Sequence, residues 1–167
     1  AQMAGILGKT PADTVLDLVL EEENAATMAT FTMHEDDIRA IMKSPMGMVC
    51  SDGILLGKPH PRAYGSFPRV VGHYVREGVL RLEDAIRKMT SYPAQTYKLT
   101  RRGILRPGLA ADITIFDPDM IEDTATFENP IQYPKGIKHV IVNGVVAVEN
   151  SAYTGQRAGR VLRRNSE

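Results

Sequence analysis

The sequence predicts an α/β fold in which helices alternate with buried strands before a small antiparallel β unit. Residues 10–52 follow the order helix, strand, helix, strand that is typical of a parallel α/β unit. Residues 111–148 instead show short alternating runs separated by turn residues. A closed barrel of eight β/α units needs about 250 residues, so this chain of 167 residues cannot form a complete one. We predict two parts, residues 1–102 and 103–167.

Composition and charge exclude several classes of partner. Hydrophobic residues make up 43% and charged residues 24%, as in ordinary globular domains. The 20 basic and 20 acidic residues cancel, which gives no general attraction to nucleic acid or to an anionic membrane. No apolar run approaches the length of about 18 residues that a membrane span requires. We therefore expect no nucleic-acid or membrane partner.

The cysteine count and the basic tail add little to this assignment. Cys50 is the single cysteine, so no intrachain disulfide can form, and we expect a cytoplasmic protein with Cys50 as a small buried thiol. The final arginines are expected to be a solvated terminus: Arg157, Arg160, Arg163 and Arg164. Residues 1–8 are expected to be a loop or a frayed end.

The elements before residue 52 follow from local signals. Thr10 is a helix N-cap, Pro11 suits the first helical position and Asp13 favours the positive end. A buried strand is predicted over 25–33, and a second helix over 34–43 that Ser44-Pro45 ends. Residues 46–51 are then predicted as the next strand.

The elements after residue 52 begin with a long loop. Residues 53–66 are rich in glycine and proline, and a loop of this length is usually functional or mobile. Helices are predicted over 67–77 and 81–91, with a short helix that restarts at Pro93. Strands are predicted over 111–116, 137–142 and 145–148, with the last two joined by a hairpin turn at Asn143-Gly144.

Asp52 is the strongest candidate catalytic residue that the pattern offers. It follows the apolar run 46–50 directly and opens into the 53–66 loop. Barrel enzymes carry their chemistry at the carboxyl ends of such strands, so we expect the Asp52 carboxylate to project from a strand tip toward a cavity. From the pattern alone, a carboxylate that caps the loop beside Gly53 is an equally good interpretation.

Several segments together resemble the metal-dependent amidohydrolases, with greatest likeness to the N-acyl-D-amino-acid deacylases. The segments are Gly8–Thr14, Cys50–Gly53, His60–Val70, Arg102–Asp112 and Val140–Gly144. The third segment decides for the D-aminoacylase subgroup over dihydroorotases and hydantoinases, and the resemblance implies a small-molecule substrate. The resemblance implies the last β/α units of a (β/α)8 barrel followed by part of an antiparallel β-sandwich. It also implies that Asp52 takes the proton of a metal-bound water and delivers it to the leaving amine.

The resemblance implies zinc, yet this chain offers no set of zinc ligands. A catalytic zinc site takes three protein ligands and a water. The available histidines show neither His-x-His nor His-x-x-x-His spacing, and they are His34, His60, His73 and His139. The tight ligands of the family come from earlier strands, so the prediction is zinc in the complete enzyme with no site in this chain alone. Asp52 is retained as a weak ligand.

The donor-rich loop supplies the candidate substrate contacts. Arg62 and Tyr64 are predicted to bind the α-carboxylate of a substrate or to shape the rim of the pocket. His60 is predicted to position the group that is cleaved. For each of them, a loop held by its own hydrogen bonds is an equal alternative, and Arg69 is expected to be structural.

The sequence leaves three hypotheses about the function of the whole chain. The first is the C-terminal segment of a deacylase, inactive alone, whose partner is the missing N-terminal barrel segment or another copy of itself. The second is a non-catalytic oligomerisation or regulatory module derived from an amidohydrolase. The third, a small enzyme complete in itself, has least support, since no nucleophile–base pair or phosphate loop is present.

Overall fold

The computed structural model describes residues 1–26, 28 and 30–163. The chain divides into two compact units, the first Ala1–His34 and the second from Glu35 onward. The boundary predicted near residue 102 lies inside the second unit and stays a prediction. Arg164 lies outside the described residues. Within them, no helix is both long and apolar enough to cross a membrane.

The first unit consists of two helices, α1 (Gln2–Leu7) and α2 (Pro11–Glu21). The helix start predicted at Thr10 is confirmed, because its Oγ1 accepts a hydrogen bond from the Asp13 N–H at 3.2 Å. The expectation of a loop over residues 1–8 is wrong for α1. The apolar stripe of α2 is exposed in this unit, and its members are Val15, Leu16, Val19 and Leu20.

The two strands predicted before Asp52 do not form among the described residues. The segments 25–33 and 46–51 contain no strand, with Thr27 and Ala29 of the first segment outside the described residues. A strand is stable only when its backbone groups pair with a neighbouring strand. The described segments beside 46–51 provide contacts of another kind: the Val49 N–H donates to the carbonyl of Lys88 at 3.1 Å.

The helices of the second unit agree with the prediction except around residue 62. They are α3 (Glu35–Lys43), α4 (Arg62–Arg69), α5 (Leu82–Met89) and α6 (Ser91–Thr96). The predicted start of α4 at Phe67 is wrong, so the loop 53–66 ends at Pro61 and Pro68 lies inside the helix. Pro68 has no N–H to donate, and a π-helical turn, Val70–Tyr74, follows directly.

The apolar core of the second unit lies around the π-helical turn. Its buried members are Val70, Tyr74, Val79, Leu80 and Ala85. Partly buried side chains of α3, α5 and their flanks complete it: Ile38, Met42, Val49, Val75 and Met89. The core therefore holds α4 and its extension against the segment that leads to Asp52.

The C-terminal part forms one four-stranded antiparallel sheet in the order β1-β2-β3-β4. The strands are β1 (Ile113–Phe116), β2 (Ile137–Val142), β3 (Val145–Glu149) and β4 (Ala152–Tyr153). The predicted hairpin turn is confirmed, since Asn143 and Gly144 have φ of 49° and 82°, the positive values that a type I′ turn requires.

The long connection between β1 and β2 packs against the π-helical turn. Ile121 is 3% exposed, and its carbonyl oxygen lies where a Cβ on Gly72 would stand. Only glycine at position 72 permits this approach of the two backbones. The Arg76 guanidinium adds a hydrogen bond to the same carbonyl at 3.0 Å. This contact brings residues 122–135 beside α4.

Candidate active site

Asp52 and Arg62 form an ion pair at the entrance to α4. Asp52 adopts φ 46°, in the left-handed region that aspartate tolerates better than most residues. Arg62 Nη2 lies 2.7 Å from Asp52 Oδ2, and Arg62 Nε donates to the Asp52 carbonyl at 2.9 Å. The guanidinium therefore fixes both the backbone turn and the carboxylate of Asp52.

Gly53 permits the turn of Asp52 to lie directly on the first turn of α4. A Cβ at position 53 would stand 2.8 Å from Ala63 Cα and 3.0 Å from Ala63 Cβ. Both distances are too short for carbon atoms, so a larger residue would displace the turn. The small residues at 53 and 63 thus set the distance between Asp52 and the helix that carries Arg62.

His60 lies just before α4 and caps its first turn. Its Nδ1 accepts a hydrogen bond from the Arg62 N–H at 3.0 Å, and its carbonyl accepts from the Ala63 N–H at 3.0 Å. Because Nδ1 accepts, the neutral ring carries its proton on Nε2. Burial, and secondly the positive charge of Arg62, lowers the pKa of His60 below its ordinary value.

Tyr64 lies on the first turn of α4, among residues with structural partners. The Tyr64 ring meets the Tyr133 ring edge to face, with 5.8 Å between their centroids. The Ser66 hydroxyl donates to the Arg62 carbonyl at 2.8 Å, and Arg69 pairs with Asp123 at 3.1 Å. The structure thus brings Asp52, Arg62 and His60 into one cluster, and places Tyr64 beside it on α4.

Two aromatic residues at this cluster were not predicted from the sequence. Phe127 and Tyr133 come from the β1–β2 connection, and the Phe127 ring lies edge to face on His60 at 5.0 Å. Their position depends on the connection folding back across α4, which no local pattern predicts. Two aromatic side chains in a proline-containing loop were the only available signal.

Lys88 supports the segment that ends at Asp52. Although it is charged, it is only 4% exposed. Its ammonium donates to the carbonyl of Ser44 and, at 3.0 Å, to that of Gly47. These bonds satisfy a buried charge and fix the turn after α3. The segment reaches Asp52 by these contacts rather than by strand pairing.

The described residues do not fit a complete zinc site. No group of three His, Cys, Asp or Glu side chains lies close enough to hold a metal ion in the described part of the chain, whereas a catalytic zinc needs about three such ligands. His139 is on β2 and His73 pairs with Glu77 at 3.4 Å. Cys50 was expected to be buried, and it is exposed, with its sulfur accepting from the Asp52 N–H at 3.4 Å.

Asp52 was also expected to face a cavity from a strand tip, and this is wrong for the described residues. Its side chain is 76% exposed. A cavity of about 1010 Å³ does exist, but it lies between α5–α6 and the sheet and is lined largely by apolar side chains. None of the candidate site residues lines that cavity.

The helices and the antiparallel sheet assign the chain to a class of mixed helix and sheet, and its candidate polar cluster pairs a carboxylate with a guanidinium. A family model described as "Amidohydrolase family" matches residues 2–148. The chain therefore belongs to the amidohydrolase family.

The relatives support the subgroup that the sequence resembles. A D-aminoacylase of Alcaligenes xylosoxydans xylosoxydans is 42% identical over 99% of this chain and 34% of its own length. A crystal structure of D-aminoacylase superposes with a TM-score of 0.86 at 41% identity, over 98% of this chain and 34% of that one. The resemblance to D-aminoacylases is thus confirmed.

A second solved structure that resembles this chain contains a metal and an inhibitor. It is an N-acyl-D-glutamate deacylase from Bordetella bronchiseptica, complexed with zinc and a phosphonate mimic of the tetrahedral intermediate. It superposes with a TM-score of 0.67 at 44% identity, over 69% of this chain and 25% of that one. This chain spans about a third of the length of the D-aminoacylase that it matches.

Proposed function

We propose that this chain is the C-terminal part of a zinc-dependent amidohydrolase that cleaves the amide bond of N-acyl-D-amino acids. The observation that carries the proposal is the Asp52–Arg62 pair, in a chain that is 42% identical to a D-aminoacylase over 99% of its length. In this proposal residues 1–102 supply the last β/α units of a barrel. Residues 103–167 supply part of a β-sandwich.

Asp52 is the proton-transfer residue in this proposal. Amide hydrolysis needs a base for the attacking water and an acid for the poor leaving amine. A single carboxylate can serve both steps by accepting the proton of the water and returning it to the amine nitrogen. The exposed Asp52 side chain, held at a fixed turn by Arg62, suits a group that must meet a substrate.

Arg62, Tyr64 and His60 are the proposed substrate contacts. Arg62 uses Nε and Nη2 to hold Asp52, so its Nη1 is the nitrogen that we assign to the α-carboxylate of the substrate. The Tyr64 hydroxyl is the second donor for that carboxylate. His60 is held as the tautomer with a proton on Nε2, which suits donation to the carbonyl oxygen of the scissile amide.

The remaining part of a longer protein is the proposed partner. The apolar stripe of α2 in the first unit is exposed, and the 1010 Å³ cavity of the second unit has a mainly apolar lining. Exposed apolar surface of this kind is usually covered by other protein. Because the chain spans only 34% of the length of the matched D-aminoacylase, we assign both surfaces to the rest of the same protein. The zinc ligands are proposed to lie there too.

The test compares the complete gene product with the isolated chain. The complete product is expected to release D-amino acids from N-acetyl-D-amino acids and to leave the L-enantiomers intact. The isolated chain is expected to be inactive with or without added zinc, because its described residues offer no metal site. Inactivity of the complete product on every N-acyl-D-amino acid would rule out the function. Hydrolysis by the isolated chain with zinc would contradict the proposal that the zinc ligands lie in the rest of a longer protein.

A further inference from the structure

The loop of residues 122–135, here named the aromatic loop, is held together by hydrogen bonds between its own residues. Its two ends pair, since the Lys135 N–H donates to the Glu122 carbonyl at 3.0 Å. Inside the loop, the Thr124 hydroxyl donates to the Tyr133 carbonyl at 2.9 Å. The Gln132 side chain donates to the carbonyls of Thr124 and Asn129 at 2.7 and 2.8 Å. These bonds satisfy backbone groups that would hydrogen-bond to water in a loop without internal contacts.

The aromatic loop is fastened to the helix that carries the site. Asp123 pairs with Arg69 of α4 at 3.1 Å and is itself only 19% exposed. Gly65 of α4 is buried, and a Cβ there would stand 3.2 Å from Asp123 Cβ. Helix and loop therefore touch with little room for a larger side chain between them. Ile121, just before the loop, is fixed on the π-helical turn by Arg76.

This fixed loop presents aromatic surface beside the polar cluster. The Phe127 ring meets His60 at 5.0 Å, and the Tyr133 ring meets Tyr64 at 5.8 Å. Phe127 remains 44% exposed and Tyr133 76% exposed. Unlike the stripe of α2 and the cavity lining, this exposed aromatic surface directly adjoins His60 and Tyr64. The loop thus places apolar area next to two of the residues proposed to contact the polar part of the substrate.

We infer that Phe127 and Tyr133 determine substrate specificity by forming an aromatic wall that contacts the hydrocarbon part of the substrate. The inference rests on the proposed function. An N-acyl amino acid carries a carboxylate and an amide beside two hydrocarbon groups, the acyl chain and the side chain. Polar groups of such sites fix orientation, while apolar walls set which hydrocarbon fits. The aromatic wall is the apolar surface of this site, and it discriminates between substrates by the size and apolarity of their hydrocarbon groups.

The experiment measures kcat/KM of the complete gene product over a matched set of substrates. One series lengthens the acyl group from formyl to hexanoyl on D-alanine, and a second enlarges the side chain from D-alanine to D-leucine and D-phenylalanine on an acetyl group. The variants are Phe127→Ala and Tyr133→Ala, with Phe127→Leu in case the alanine variant fails to fold. Glu128→Ala, an exposed change in the same loop, is the control.

The expected result is a selective loss. Removing either ring should lower kcat/KM about tenfold for the largest apolar substrates and leave the smallest within about twofold. The series in which the loss appears identifies whether the wall meets the acyl chain or the side chain. An equal loss across both series, or no loss in either, overturns the inference while the function stands. Inactivity of the unaltered protein on all these substrates overturns the function and the inference with it.

A spectroscopic readout tests the geometry separately from catalysis. If Phe127 shields the His60 ring, Phe127→Ala should raise the pKa of His60 toward its ordinary value, as followed by NMR titration. Phe127→Leu should raise it less, and Glu128→Ala should leave it unchanged. An unchanged chemical shift and an unchanged titration of the His60 ring in Phe127→Ala would together show that the ring contact is absent, which also overturns the inference.

Discussion

Arg62 holds Asp52 at two points, with Nη2 2.7 Å from the Oδ2 carboxylate oxygen and Nε 2.9 Å from the backbone carbonyl. One guanidinium thus sets both where the carboxylate stands and how the chain turns beneath it. Because the proposed chemistry depends on a placed carboxylate, disrupting this pair is the first test of the site.

Replacing Arg62 should impair catalysis more than folding. Hydrogen bonds to charged groups contribute about 1.5–3 kcal/mol, so Arg62→Ala should lower kcat/KM of the complete gene product roughly tenfold to hundredfold. Arg62→Lys should recover part of the loss, because an ammonium has the charge without the planar fork. Arg81→Ala breaks a similar exposed pair, with Asp84 at 2.8 Å, and serves as the control. Equal activity of Arg62→Ala and Arg81→Ala would contradict the assigned role.

Gly53→Ala should displace the turn of Asp52 from α4. The new Cβ would stand 2.8 Å from Ala63 Cα, so either the turn or the helix must move. We expect the free energy of unfolding to fall by about 1–3 kcal/mol, measured by urea denaturation, together with a loss of activity. Gly159→Ala is the matched control, since no heavy atom lies within 4 Å of its added Cβ. Unchanged stability and activity in Gly53→Ala would argue against the close packing.

Lys88→Met should destabilise the segment before Asp52. The substitution removes the ammonium that donates to the carbonyls of Ser44 and Gly47, and leaves both acceptors without that partner. Hydrogen bonds to charged groups contribute about 1.5–3 kcal/mol, a loss that denaturant titration can resolve. Lys43→Met changes an exposed lysine at the end of α3 and should cost much less. A loss no greater than that of Lys43→Met would contradict this role of Lys88.

His60 should make stability depend on pH. Burial and the charge of Arg62 lower the pKa of His60 in the folded chain below 6.5. The unfolded chain therefore takes up the proton at a higher pH, so the contribution to stability is present above about pH 6.5 and is lost as the pH falls through the folded-state pKa. His60→Gln should flatten the free energy of unfolding against pH in this window. If the free energy of unfolding depends on pH equally in His60→Gln and in the control Lys58→Gln, the contribution assigned to His60 is contradicted.

Local signals predicted α2 and the hairpin of β2 and β3, whereas the two strands predicted before Asp52 were wrong because a strand depends on long-range pairing. Thr10 and Asn143-Gly144 fix their elements through neighbours in sequence, so a short motif is enough. Residues 46–51 have a strand-like composition, yet a strand needs a partner, and the segment instead bonds to Lys88. The start of α4 was missed because a helix over 67–77 has Pro68 in its first turn, where proline is tolerated, whereas Pro68 lies inside α4.

The candidate site was predicted in part for the same reason. Asp52 and Arg62 are 10 residues apart in sequence, so their contact closes a single connection between neighbouring segments. Phe127 reaches His60 only because Ile121 fits against Gly72, and no sequence pattern encodes that long-range fit. The metal site follows neither from the sequence nor from the described geometry, since the chain lacks a group of ligands within the residues described.

The most direct test of the account is the turnover of N-acetyl-D-amino acids by the complete gene product with Asp52→Asn. Asparagine preserves the shape and the polar contact but cannot carry a proton. Proton-transfer groups typically contribute a factor of about 10²–10⁴, so kcat should fall by that factor while KM changes only slightly. Turnover within about threefold of the unaltered protein would contradict the assignment of Asp52 as the group that moves the proton.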